Sequence, residues 1–151
     1  MNQNDDTEAF LNVRREKLGG ELIYRSYATW YGRSDGDKRE FGVFIYSDGR
    51  TLVLEDFERT PTILGIRYTP KKKSEYRKLE IFIPADSITG IDRITRRSAE
   101  LSVMDGKDRG KVINLFAKLF RKTVTRVALE DGTAYYLEIA DTDKLKKTLN
   151  K

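Results

Sequence analysis

The side chains best able to do chemistry in this chain are cationic. Lys71, Lys72 and Lys73 run together, with Arg77 close behind. Arg93, Arg96 and Arg97 form a second group. Lys118, Arg121 and Lys122 end a third stretch, in which Phe116 and Phe120 stand four apart. Such clusters suit phosphate. A guanidinium presents a planar fork that matches two phosphate oxygens, and a lysine supplies a mobile point charge. Near an anionic lipid surface each cation contributes about 1 kcal/mol. Plainer readings stand beside these. Lys71–Lys73 could be a solvated hairpin tip that keeps a sheet edge from pairing, and Asp92 and Glu100 could neutralise the arginines. Acidic pairs at Glu55/Asp56 and Asp141/Asp143 have the residue types for acid–base or metal chemistry, but adjacent acids near turns more often cap and solubilise. Trp30, Tyr24, Tyr27, Tyr31, Tyr46 and Tyr68 could stack on single-stranded nucleic acid, or pack within strands, where aromatics are common.

Several chemistries are excluded by composition. The chain of 151 residues has no cysteine and no histidine. That removes disulfides, thiolate sites, Ser-His and Cys-His catalysis and histidine-bound metals. No glycine-rich phosphate loop, nucleophile elbow or metal-ligand spacing occurs. Neither catalysis nor a cofactor is expected. The net charge of +5 supports weak attraction to anions rather than dedicated nucleic-acid binding. No apolar run approaches the roughly 20 residues of a membrane-spanning helix, and the start, M-N-Q-N-D-D-T-E, does not read as a signal peptide. A cytoplasmic protein is expected, with peripheral membrane attachment as a second setting.

The elements that must hold these groups are mostly strands. Residues 123–151 read as strand, turn, strand and short helix. Val127, Leu129, Tyr135, Leu137 and Ile139 alternate onto one face. Only a three-residue loop, Glu130-Asp131-Gly132, keeps them there, pairing Val127 with Tyr135. Gly132 then takes the left-handed position. Asp141 or Thr142 caps the closing helix, and Leu145 and Leu149 share its buried side. At the other end, Asp5 and Asp6 before and Gly19-Gly20 after predict a helix over about 7–18. Glu21 to Tyr31 reads as the first strand. Phe41 to Glu55 reads as a hairpin around Ser47-Asp48-Gly49 with apolar residues on both faces, so both faces need cover. Thr62 to Tyr68 and Tyr76 to Ile83 read as two further strands. The spacing of Ile88, Ile91 and Ile94 suggests a short turn or twisted edge rather than a regular strand. Leu101 and Val103 suggest a brief strand before Asp105-Gly106. Asp-Gly recurs at 35–36, 48–49, 105–106 and 131–132, which argues for an antiparallel meander. Residues 107–122 read as a basic amphipathic helix, a core-covering helix or a strand within the sheet.

The order of parts resembles PH-like and GRAM-like domains, best over residues 76–151. Several antiparallel strands, the step Ile83-Pro84 followed by Ile88, the hairpin V-A-L-E-D-G-T-A-Y-Y-L-E-I and a closing helix carry the resemblance. It implies a bent antiparallel barrel plugged by its C-terminal helix. Ile83, Pro84, Ile88, Leu137, Ile139, Leu145 and Leu149 would then be scaffold. It also implies an adaptor that binds lipid membranes or peptides rather than an enzyme. Two features of lipid-binding members are absent: an Arg-x-Arg-like pair in the first loop (here Arg33 to Glu40) and a tryptophan in the closing helix.

The expectation is therefore one mainly-β (α+β) domain over 1–151. It has a bent antiparallel sheet or small barrel of about seven strands, an N-terminal helix with its cap (1–20) and a C-terminal capping helix (141–151). Its expected role is a non-catalytic binding module for a protein partner or an anionic lipid surface, with nucleic acid as the alternative. The expected contacts are Lys71, Lys72, Lys73, Arg77, Arg93, Arg96, Arg97, Lys118, Arg121 and Lys122, with apolar contacts from Phe116 and Phe120.

Overall fold

A computed structural model describes residues 3–36, 38–56, 62–63, 66–67, 78–110 and 122–151. Helix α1 (Gln3–Leu18) leads into strands β1 (Tyr24–Arg33), β2 (Lys38–Ser47) and β3 (Thr51–Asp56). Two short strands, β4 (Thr62–Ile63) and β5 (Ile66–Arg67), pair with each other in a separate two-stranded sheet. Strand β6 (Glu80–Pro84), a single 3₁₀ turn (Ala85–Ser87) and β7 (Ile88–Thr95) follow. Then come helix α2 (Arg96–Asp105), β8 (Thr123–Leu129), β9 (Ala134–Ile139) and helix α3 (Thr142–Leu149). Seven strands form one antiparallel sheet in the order β6-β3-β2-β1-β9-β8-β7.

This order shows why the sheet curls. Strands β6 and β7 are consecutive in the chain but lie at opposite ends of the sheet. The three residues between them span roughly 10 Å at most, so the two ends must meet at that corner. The corner is tied to both halves: Ala85 N–H donates to Arg50 O at 2.7 Å, and Glu130 N–H donates to Ser87 O at 2.8 Å. The edges do not pair, so the sheet is not a closed barrel. Its concave side holds the main core, including Trp30, Ile45, Leu54, Ile91, Val127 and Leu137. Helix α3 fills the open side of this core with Leu145 and Leu149, which are 0% and 2% exposed. Asp141 caps α3, its Oδ1 accepting from Lys144 N–H at 2.8 Å. Thr142 lies buried against Thr125.

The convex side is covered twice. Helix α1 lays Leu11 over Phe44, Tyr46 and Val53 of β2 and β3, which meets the need for cover on both faces of that hairpin. Helix α2 lays Ala99 and Val103 over Ile94, Val124, Ala134 and Tyr136.

The closing hairpin has the expected register. Val127 pairs with Tyr135, Leu129 N–H donates to Thr133 O at 2.8 Å, and Gly132 has φ +83°. Other segments differ from expectation. Helix α1 begins at Gln3, and β1 runs from Tyr24 to Arg33. Of the expected 62–68 strand, Thr62 pairs with Arg67 and Ile63 with Ile66 as two short antiparallel strands, and its other residues lie outside the described ones. Residues 88–95 form one edge strand rather than a turn. A bulge between Ile88 and Gly90 puts Ile88 and Ile91 on the same face, and the odd spacing puts Ile94 on the other. Leu101 and Val103 lie in a helix, not a strand. Ala99, Ser102 and Val103 are its buried stripe, spaced three and four apart. Gly106 (φ 66°) ends that helix in the left-handed region, so this Asp-Gly is a helix stop rather than a hairpin. No helix among the described residues is long and apolar enough to cross a membrane.

Candidate functional site

The structure gathers part of the second and third basic groups into one place. The β7–β8 ladder ends with Thr95 opposite Thr123. It is extended by Arg96 N–H donating to Lys122 O at 3.0 Å. That backbone bond sets the first turn of α2 beside Lys122, which is remote in sequence. At the far end of α2 the chain turns back through Gly106, and Arg109 returns along the helix. Its backbone N–H donates to Ser102 Oγ at 3.1 Å, and Ser102 is itself fully buried. The result is a hollow of about 560 Å³ lined by Thr95, Arg96, Arg97, Ser98, Leu101, Arg109 and Lys122.

Four cations line this hollow, and two of them are neutralised. Arg96 Nε donates to Glu100 Oε1 at 3.0 Å, while its guanidinium carbon lies 4.8 Å from the centre of the Tyr31 ring. Arg109 pairs with Asp105 one turn back. Among the described residues no carboxylate pairs with Arg97 or Lys122. The hollow therefore carries an excess of two positive charges. The helix N–H groups add little, because Thr95 Oγ1 accepts from Ser98 N–H at 3.2 Å and Arg96 N–H is taken by Lys122.

A buried network braces the Arg109 turn from behind. Asp108 accepts both Arg126 Nε (2.9 Å) and the Tyr136 hydroxyl (2.7 Å). Arg126 also donates to Asp92 at 3.0 Å. Burial pushes the Asp108 carboxyl up, but the bonds from Arg126 and Tyr136 outweigh it and hold the group below its ordinary value. The bond to Asp108 raises Arg126. Burial, together with Asp108, raises Tyr136.

A second ionic group lies under α1. Glu55, 1% exposed, accepts from Arg14 and Lys78, and the Arg14 guanidinium stacks on the Phe10 ring. Burial pushes Glu55 up; Lys78 and Arg14 more than offset this and hold it below its ordinary value. This triad ties α1 to β3 and uses up one acid of the Glu55/Asp56 pair. Asp56 accepts from Leu79 N–H at 3.1 Å. Among the described residues no cluster of three or more aspartate, glutamate, histidine or cysteine side chains could hold a metal.

Of the expected contacts, Arg96, Arg97 and Lys122 come together. Arg93 does not join them: its Nε donates to Thr142 Oγ1 at 3.2 Å, toward α3. Lys71, Lys72, Lys73, Arg77, Lys118, Arg121, Phe116 and Phe120 lie outside the described residues, as does most of the 107–122 stretch. Arg109 was missed. Its one sequence signal is the four-residue spacing from Asp105. The stacking-platform reading of the aromatics loses half of its six members: Trp30, Tyr24 and Tyr46 are buried, and among the described members only Tyr27 is widely exposed, at 71%; Tyr68 lies outside the described residues. No family model and no curated protein sequence matches this chain.

Proposed function

We propose that this chain is a non-catalytic binding module for an anionic membrane surface, and that it seats through the hollow at the start of α2. The observation that carries the reading is the excess of two positive charges, from Arg97 and Lys122, in a concave site. Two further features support it. Met104 is 79% exposed on the same helix, two turns beyond Arg97, and offers an apolar contact beside the charges. The PH-like resemblance, which implies a binding adaptor, supports the same reading, although the curled sheet is not the closed barrel it implies. A protein partner is the second reading. A shallow groove on the sheet, lined by Tyr27, Thr29, Gly42 and Glu138, favours it.

Vesicle co-sedimentation tests the proposal, with neutral and anionic lipid at low and physiological salt. The wild type should bind only anionic vesicles, and less at higher salt. Arg97→Glu with Lys122→Glu should weaken binding by well over tenfold, at about fivefold for each charge removed. Lys146→Glu with Lys147→Glu, on α3, should weaken it far less. Equal loss in both variants would mean diffuse attraction and would sink the site; no binding at either salt would sink the membrane reading and leave the protein partner.

A further inference from the structure

We infer that the hollow selects a phosphate monoester in its dianionic form over the singly charged diesters that make up most anionic lipid surface; this rests on the anion-binding reading above. The argument begins with charge. Arg96 and Arg109 are each balanced by a carboxylate, so the unbalanced charge comes from Arg97 and Lys122. A diester phosphate carries one negative charge and would leave one cation uncompensated. A monoester carries close to two above its second ionisation near pH 6, together with three acceptor oxygens.

Shape and donors point the same way. The cations come from three separate segments, the first turn of α2, the turn after it and the start of β8, so they approach a ligand from different sides. A terminal phosphate that enters a hollow offers its oxygens in several directions, whereas a diester buried in a lipid surface offers two. Arginine forks match such oxygens in pairs. The Thr95 hydroxyl donates to Ser98 Oγ at 2.9 Å, which leaves the Ser98 hydroxyl proton for a ligand. The volume of about 560 Å³ lies in the range of small-ligand sites and exceeds what one phosphate fills. Leu101 in the lining and exposed Met104 nearby suit a glycerol or acyl portion of the ligand.

The composition supplies an unusual test. With no histidine in the chain, no side chain has its ordinary titration near neutrality. Among the described residues the titratable groups lining the hollow are Arg96, Arg97, Arg109 and Lys122, with Glu100 and the Tyr31 ring against Arg96 and Asp105 against Arg109. A change in affinity between about pH 5 and about pH 7.5 then reports the ligand's second ionisation.

The experiment compares phosphatidylcholine vesicles containing phosphatidic acid, a monoester, with vesicles containing phosphatidylglycerol, a diester, adjusted to equal measured surface charge. Binding to phosphatidic acid should be tighter and should rise roughly fivefold across that pH window, the effect of one further charge. Binding to phosphatidylglycerol should stay flat. Arg97→Gln with Lys122→Gln should remove both the preference and the pH rise. Arg97 is exposed, so the fold should persist, and circular dichroism checks it. Equal, pH-flat binding to both lipids overturns the inference and leaves the membrane reading standing. Glycerol 3-phosphate separates the two sources of the same chemistry. If it displaces the protein from vesicles, the hollow takes the head group. If it binds by calorimetry with the same pH rise while vesicles do not bind, the monoester inference holds for a soluble ligand and the membrane reading fails. Failure of phosphatidic acid, phosphatidylglycerol and glycerol 3-phosphate alike overturns both.

Discussion

Replacing Asp108 by asparagine should lower stability by about 2 kcal/mol at pH 7. The Asp108 side chain is 10% exposed and that of Arg126 is 14%. Breaking a buried ion pair while leaving its partner behind costs roughly 3–5 kcal/mol. Two features reduce the figure here. Asp92 still accepts from Arg126, and an asparagine oxygen can still accept from Tyr136. Urea denaturation followed by circular dichroism reads the loss directly. Its pH dependence has a definite sign. Asp108 is held below its ordinary value in the folded protein, so the unfolded chain takes up the proton first as pH falls. The contribution is fully present above the unfolded carboxylate value of about 3.9, declines as pH falls and is lost below the folded value. The gap between wild type and Asp108→Asn should therefore stay constant from about pH 8 to about pH 5 and shrink below about pH 4. Comparing the two proteins at each pH cancels the titrating groups outside this network. A loss under about 0.5 kcal/mol at pH 7, or a gap that widens in acid, would refute the claim that this network braces the Arg109 turn.

Leu145→Ala should cost about 2–5 kcal/mol in the same denaturation assay, because a fully buried side chain would leave a cavity between α3 and the sheet. A cost near zero would mean that α3 does not complete the core. Gly132→Ala should cost about 1 kcal/mol, since its φ of +83° penalises a Cβ while the space around it is open; an unchanged midpoint would contradict the left-handed turn. Glu55→Gln should leave Arg14 and Lys78 without their shared charge. Faster hydrogen exchange should then appear in α1 before β8 and β9, whereas uniform exchange would show that the triad does not anchor that helix.

What could be read from the sequence was local. The closing hairpin follows from alternation over 127–139 and from the loop length that keeps Val127, Tyr135 and Leu137 on one face. Helix α3 follows from Asp141 and the four-residue spacing of Leu145 and Leu149. The apolar residues on both faces of the 41–55 hairpin called for cover on each side, which the core and α1 supply. In these cases neighbouring residues carry the whole pattern. Where only two residues carried it, as at Leu101 and Val103, alternation and helix could not be told apart, and the buried Ser102 gave no apolar signal for a helix. The bulge after Ile88 changed face assignment by one residue, which no residue type announces.

The candidate site needed the tertiary structure. Arg96 and Lys122 become neighbours only because β7 pairs with β8. Arg109 reaches them only because Gly106 reverses the chain and Ser102 pins the return. Which arginines are neutralised was equally hidden: Asp92 stands next to Arg93 in sequence, yet it pairs with Arg126 across the ladder. Composition by itself set the chemical limits, with no histidine, no cysteine and a modest cationic excess. The fold decided where two of those positive charges stay unbalanced. Charge composition is a sum over residues, whereas a binding site is a matter of which residues long-range pairing brings together.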